Sequence, residues 1–377
     1  MQKSLNTTLV KERLTEYGYN QNKLSKELGV SREAVSQWLK NKSLPRPAKL
    51  LRLGKLLNLS YNDLVSVDKS LEPKVAFRKV GSVKTRDLHY KRAHEMGYAL
   101  EQLVKFLPPE MMIKPPAFTN PIDEYSYIQK AVKLIRAKFN ISNYKVEFSE
   151  VIDILNHFNA IFIPVLLGSK KYHENALHIY LPASATTWVY INLDTKVFDF
   201  KFWLTHELGH ILTPSLEGKE AEDFADDFSG AFLLPGELAE TQYHRLKKLR
   251  SNRQKVNFII NAANDLLVSP ITIYKEVNKY AKQNKLDKVD LEKSLYAATS
   301  NFIKEYQIVS EILFEKEKPK VENYIQISVE YFHTIFFDLL MEYHKKKAVT
   351  LGFIRSILNI PLTDAKEIYD FLVNASD

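Results

Sequence analysis

The segment from Phe198 to Leu212, FDFKFWLTHELGHIL, constrains the fold more than any other stretch of the chain. Its length and its apolar character up to Thr213-Pro214 predict a helix. Phe202, Trp203, Leu204, Leu208, Ile211 and Leu212 leave that helix little surface fit for water, so a core has to be built around it. His206 and His210 are four apart and therefore share one face, a turn apart. Imidazoles so placed suit two ligands of a tetrahedral zinc, and Glu207, next to the first, is positioned as a general base. The bland alternative is a pair of partly exposed His on an amphipathic helix, which the apolar surround disfavours. The chain holds no Cys, so a disulfide framework, a thiolate nucleophile and a thiolate metal site are all excluded. Any metal has to be held by His and carboxylates.

An open zinc site takes a third protein ligand. No His lies between His210 and His244, whereas the next expected helix, from about Lys219 to Leu234, carries Glu220, Glu222, Asp223, Asp226 and Asp227. Ala221, Phe224, Ala225, Phe228, Ala231 and Phe232 define its buried side. Glu222 and Asp226 share a face bordering that side, so Glu222 can ligate while Asp226 accepts the second imidazole hydrogen of a ligand His. Glu220 and Asp223 lie close enough to compete, and a solvated acidic face is the alternative.

The run HELGH, followed by Glu222-Asp223-Phe224-Ala225-Asp226 and by Phe228 to Leu234-Pro235, resembles the ImmA/IrrE family of bacterial zinc peptidases over roughly residues 120 to 240. The resemblance implies zinc held by His206, His210 and Glu222, with Glu207 as catalytic base and Asp226 supporting a ligand. It also implies a regulatory protein as substrate. Two departures stand out. Thr213 replaces a further His of many members, and Ser229 replaces the usual Ala, which reads as a packing change. Trp188 to Asn192, with Tyr190 at its centre, fits a strand, and by analogy with related metallopeptidases it is expected to pair edgewise with an extended substrate.

The net charge of +8 is not spread along the chain. Residues 1 to 60 carry twelve Lys and Arg against four acids, and the other 317 residues are electrically balanced. One module thus faces a polyanion and the rest does not. Its pattern predicts helices from Thr8 to Tyr17 with Leu9 and Leu14 facing in, and from Asn20, an N-cap, with Leu24 and Leu28. A third follows Ser31 and a fourth carries Leu50, Leu53, Leu56 and Leu57, with Gly29 in the turn. Asn20 to Trp38 resembles the XRE, or Cro/CI-type, helix-turn-helix family, with Leu24, Leu28, Val30, Val35 and Trp38 as its small core. Arg32, Glu33, Ser36 and Gln37, behind the capping Ser31, are then offered to base edges. Gln21, Lys40, Asn41 and Lys42 are phosphate candidates. A single such module makes few base contacts, so a homodimer on a palindromic double-stranded operator is expected.

The expected fold class is mainly α with a small β-sheet. Residues 1–66 form an all-α helix-turn-helix domain and 67–121 a connector, helical after Val80 and ending in a linker or belt that spends five of the fifteen prolines between Pro108 and Pro121. Residues 122–240 form an α+β zincin-like metallopeptidase domain with strands at Ala160 to Leu166, Ala176 to Leu181 and Thr187 to Leu193. Residues 241–377 form a helical region for sensing, docking or dimerisation, with stretches from Leu291 to Phe314 and from Glu322 to His344. No apolar run reaches the roughly 18 residues of a membrane span and no signal core opens the chain, so a cytoplasmic location without membrane contact is expected. Together the modules predict a DNA-binding transcriptional regulator with a Zn2+-dependent endopeptidase that cleaves a regulatory partner. The alternative is an antitoxin or repressor, partnered by a cognate toxin, whose zinc site is structural or sensory.

Overall fold

The computed structural model describes residues 3–67, 71–78, 87–142, 144–166, 176–315 and 319–375. Contacts divide the chain once, into Met1–Glu72 and Pro73–Asp377. In the first unit, β1 (Lys3–Leu5) precedes α1 (Thr7–Glu16), α2 (Gln21–Leu28), α3 (Arg32–Leu39), α4 (Pro47–Leu57), α5 (Tyr61–Leu64) and β2 (Val65–Val67). Side chains end the helices as the sequence requires. Asn20 Oδ1 accepts from Lys23 N–H at 2.8 Å, and Ser31 Oγ accepts from Ala34 N–H at 3.1 Å. Gly29 closes α2 at φ 61°, a conformation a Cβ disfavours. Lys49 Nζ donates to Leu28 O at 2.6 Å and so satisfies a carbonyl left over at that turn.

Val10, Leu14, Leu24, Leu28, Val35, Trp38, Leu50, Leu53 and Leu57 form this unit's core. Leu9, expected inside, is only half-buried, and Val10 takes the inner place. Val30 and Leu56 pack at the core's margin. The antiparallel ladder of β1 with β2 adds a small sheet to the expected all-α domain. Three-residue strands are too short to leave an alternating pattern in a sequence.

The second unit is built on a four-stranded mixed sheet of β3 (Lys74–Arg78), β4 (Ala160–Val165), β5 (Ala176–Leu181) and β6 (Thr186–Asn192), ordered β3-β5-β6-β4. β4 runs parallel to β6, and the other neighbours are antiparallel. Around it lie α6 (Asp87–Leu100), α7 (Tyr125–Lys138), α8 (Phe148–His157), α9 (Val197–Leu212) and α10 (Gly218–Leu233). The later helices are α11 (Gly236–Lys248), α12 (Asn252–Leu266), α13 (Pro270–Gln283), α14 (Glu292–Glu305) and α15 (Val309–Leu313). They continue as α16 (Val321–Phe332), α17 (Phe336–Lys347), α18 (Leu351–Leu358) and α19 (Leu362–Asn374).

One apolar core runs from α6 to α19. Expected boundaries at 121/122 and 240/241 therefore do not separate compact bodies. The reason lies in the strands. Every residue of β4 and β6 is buried, so both sheet faces need cover. Part of that cover is C-terminal. Tyr190 Oη donates to Ile357 O at 2.7 Å, Thr334 Oγ1 to Phe162 O, and Tyr324 Oη to Pro164 O. Each of the two long C-terminal stretches breaks in two, the first where Ile308 bridges to Lys196 and the second at His333, φ 51°.

From Pro73 on, the connector is likewise part of this unit. Lys74–Arg78, which the sequence leaves as polar connector, is a strand; the expected helix start at Val80 lies outside the described residues, and α6 begins at Asp87. The proline-rich stretch is a belt. Phe118 N–H donates to Leu212 O at 2.8 Å, capping the end of α9, and Asn159 Nδ2 donates to Glu110 O at 3.1 Å. Among the described residues no single helix is long and apolar enough to cross a membrane; α12 and α13 pass only as a pair bent by 109°.

Candidate metal centre and nucleic-acid interface

Thirteen of the sixteen residues of α9 are buried, His206, Glu207 and His210 among them. α10 packs against it at very short range: a Cβ at Gly209 would stand 2.9 Å from Ala225 Cα. Glycine at that one position lets the two helices close up. Ser229 Oγ, fully buried on α10, donates to Phe202 O at 2.8 Å and also meets Thr205 Oγ1. This serine thus links α10 to α9 by hydrogen bonds, where the sequence suggested a packing change. Thr213 Oγ1 donates to Gly209 O at 2.8 Å and finishes α9.

The close approach brings His206, His210 and Glu222 together, one ligand atom of each within 4.8 Å of the others. His206 Nε2 and His210 Nε2 are 3.0 Å apart, and Glu222 reaches them at 3.5 and 3.4 Å. Asp226 Oδ1 stands 2.9 Å from His206 Nδ1, where it can orient that imidazole. Burial works against the Glu222 charge, but His206 and His210 outweigh it and hold the carboxyl down at about 2. Of the competitors, Asp223 turns to Lys219 at 3.8 Å and Glu220 is exposed. Two imidazole nitrogens and a carboxylate, turned on one point with a carboxylate behind, are a donor set that fits a zinc ion.

Glu207 is 1% exposed, and among the described residues no hydrogen bond reaches its Oε2. His178 of β5, which sequence reasoning missed, brings Nδ1 to 3.4 Å from that oxygen and its ring to 5.6 Å from that of His210. Burial pushes the His178 imidazole below its usual range, and Glu207 offsets this only in part. The available signal was an ionisable side chain in the otherwise apolar strand Ala-Leu-His-Ile-Tyr-Leu, since a buried polar group needs a partner.

Tyr190 has to be withdrawn as a substrate-pairing candidate. It is buried, hydrogen-bonded to Ile357 O, and lies on β6, which has β5 on one side and β4 on the other. An interior strand has no free edge to offer a peptide.

In the first unit, α3 keeps Val35, Trp38 and Leu39 in the core while Arg32, Glu33 and Gln37 are exposed and Ser36 is half-exposed. Lys40 and Lys42 are exposed just beyond the helix, and Gln21 is half-exposed at the first turn of α2. Ser31 and Asn41 also have structural duties. Ser31 caps α3, and Asn41 Oδ1 accepts from Leu5 N–H at 3.1 Å, tying β1 to the end of α3.

Two helices joined by a Gly-containing turn, the second presenting a polar exposed face, define a helix-turn-helix unit of the kind that reads DNA. The comparison agrees: residues 10–64 match the helix-turn-helix family model. No curated protein and no solved structure matches the chain. The molecule is a DNA-binding transcriptional regulator by virtue of this unit.

Proposed function

We propose that this regulator carries a zinc-dependent endopeptidase that cleaves a specific regulatory partner protein. The observation that carries the proposal is the convergence of His206, His210 and Glu222 from two helices, with the carboxylate of Glu207 buried beside them. The resemblance of HELGH and its following Glu222-x-x-Ala-Asp226 to the ImmA/IrrE peptidases supports the same roles. A zinc ion held by the three side chains would polarise a scissile carbonyl and activate a water. Glu207 takes the proton of the attacking water and hands it to the leaving amine. Its Oε2, approached by His178 Nδ1 at 3.4 Å, is buried beside the three ligands and suits that task. Asp226 orients His206, and the apolar wall of α9 excludes bulk water. The DNA-binding unit, as a homodimer on a palindromic operator, brings this chemistry to the genes it controls.

One observation favours a second reading. His206 and His210 are nearly inaccessible, at 0% and 7% exposure, as a structural or sensory zinc site in an antitoxin or repressor would be. The Glu207→Gln chain separates the two. It retains zinc in both cases, but under the peptidase reading it holds its partner protein uncut, while the wild-type chain cleaves that same captured protein. A wild-type chain that leaves the captured partner intact, with operator control unchanged in Glu207→Gln, contradicts the peptidase reading.

A further inference from the structure

The sheet edge beside the candidate metal centre is already filled from within the chain. β3 runs antiparallel to β5 with Lys74 opposite Tyr180 and Ala76 opposite His178. Residues directly opposite in an antiparallel pair project to one face of the sheet, so Lys74 and Ala76 share the face on which His178 meets Glu207 and His210. The ion pair of Lys74 with Glu217 agrees. Glu217 is the N-cap residue of α10, the helix that brings Glu222 to the centre. β3 therefore links the strand that carries His178 to the helix that carries the carboxylate ligand.

A peptide that enters by adding a strand to this sheet needs an edge next to the centre. β6 is interior, and β4 is the opposite edge, two strands away from β5. Among the described residues only the β5 edge meets the requirement, and β3 occupies it. We propose that β3 is an internal stand-in for the substrate: an extended peptide displaces β3 and pairs antiparallel with β5, with a small side chain opposite His178 and a cationic one two residues earlier, at Glu217. This inference rests on the peptidase reading and adds its substrate class. A small side chain is required because the His178 ring already fills the space beside Glu207 and His210, and packed interiors do not yield to added volume. The cation is required because Glu217, 70% exposed at its side chain, is what Lys74 holds. An exposed ion pair of this kind holds weakly, and the β3 ladder is five residues long, so exchange is feasible.

The test uses the full zinc-loaded chain with Glu207→Gln, which binds without cutting, and a fluorescein-labelled peptide copying residues 73–78, Pro-Lys-Val-Ala-Phe-Arg. Fluorescence anisotropy reads the binding. Val75→Pro and Ala76→Pro are added separately. Successive N–H groups of a strand point to opposite sides, so one of the two removes a bond to β5. That variant, checked by circular dichroism and Tm, is expected to bind the peptide at least tenfold more tightly than the chain with β3 intact, and a peptide carrying Ala76→Trp is expected not to bind. Equal affinity in opened and unopened chains overturns the proposal. Should both proline variants unfold, the exposed Glu217→Lys chain decides. It should prefer a peptide carrying Lys74→Glu over the unmodified one, and no preference overturns the proposal. The two readings fail differently. A peptide bound by the opened chain, with the captured partner left intact by the wild-type chain, contradicts the peptidase and supports the edge assignment. A captured partner that is cut, with no peptide binding by any opened chain, overturns the edge assignment alone.

Discussion

Gly209 shows how much of the candidate metal centre rests on one missing methyl group. With Ala225 Cα 2.9 Å from where its Cβ would sit, Gly209→Ala has to push α10 outward and Glu222 with it. Overpacking of this kind costs about 1–3 kcal/mol, so urea unfolding should give a lower midpoint for Gly209→Ala, and zinc affinity should fall with it. Asp226→Ala should leave the fold intact and weaken zinc binding by about 10–100-fold in a chelator competition, because it removes only the group that orients His206. In the first unit, Arg32→Ala should cost about 1–3 kcal/mol of operator binding and relax specificity at one base, whereas Lys42→Ala should weaken all sequences alike and lower the salt slope by about one. These side chains were legible in the sequence because their chemistry is tied to helical spacing: the imidazoles stand four positions apart, and so do Glu222 and Asp226. His178 was not, since its meeting with Glu207 depends on strand pairing between distant segments, and Tyr190 was misplaced for the same reason. Alternation shows that a strand is buried and cannot show which neighbours flank it.

At the scale of elements, most helices and three of the four strands of the larger sheet were legible, because apolar periodicity and caps such as Asn20 and Ser31 act locally. What escaped were pieces stabilised only by partners far along the chain. β3 is polar by composition and is a strand because β5 lies beside it. The stretch from Glu322 reads as one helix, yet it breaks at His333, and just beyond the break Thr334 bonds Phe162 O. The contact of α10 with α13 carries a prediction of its own. Glu276 on α13 is buried, with Lys279 at 2.6 Å, and Lys279 in turn meets Asp227 at 2.8 Å. Burial pushes the Glu276 carboxyl up to about 7, against the pull of Lys279. A folded-state value above the unfolded one means stability fully present below about pH 4.5, the ordinary Glu range, and lost as pH rises through about 7. Glu276→Gln should therefore raise Tm more at pH 8 than at pH 5 and narrow the gap between the two. An unchanged gap in a thermal scan contradicts this assignment.

On the scale of the whole molecule, +6 of the sequence's +8 belongs to a small basic unit that ends at Glu72, and the larger unit from Pro73 carries only +2. Operator binding should accordingly fall steeply with salt. A fragment from residue 73 onward that binds the operator as tightly as the full chain would contradict this division. The larger unit has a single core, so the C-terminal helices are part of the scaffold that holds β4 and β6 beside α9. The sequence hid this because amphipathic helices display a buried face without naming what buries it. The scaffold brings His206, His210 and Glu222 to one point, where a zinc ion is expected. Metal analysis of the purified chain tests it most directly. One zinc per wild-type chain is expected, and loss of that zinc in His206→Ala and Glu222→Ala chains whose DNA-binding unit still binds DNA. A wild-type chain without stoichiometric metal, or one whose zinc survives both substitutions, would contradict it.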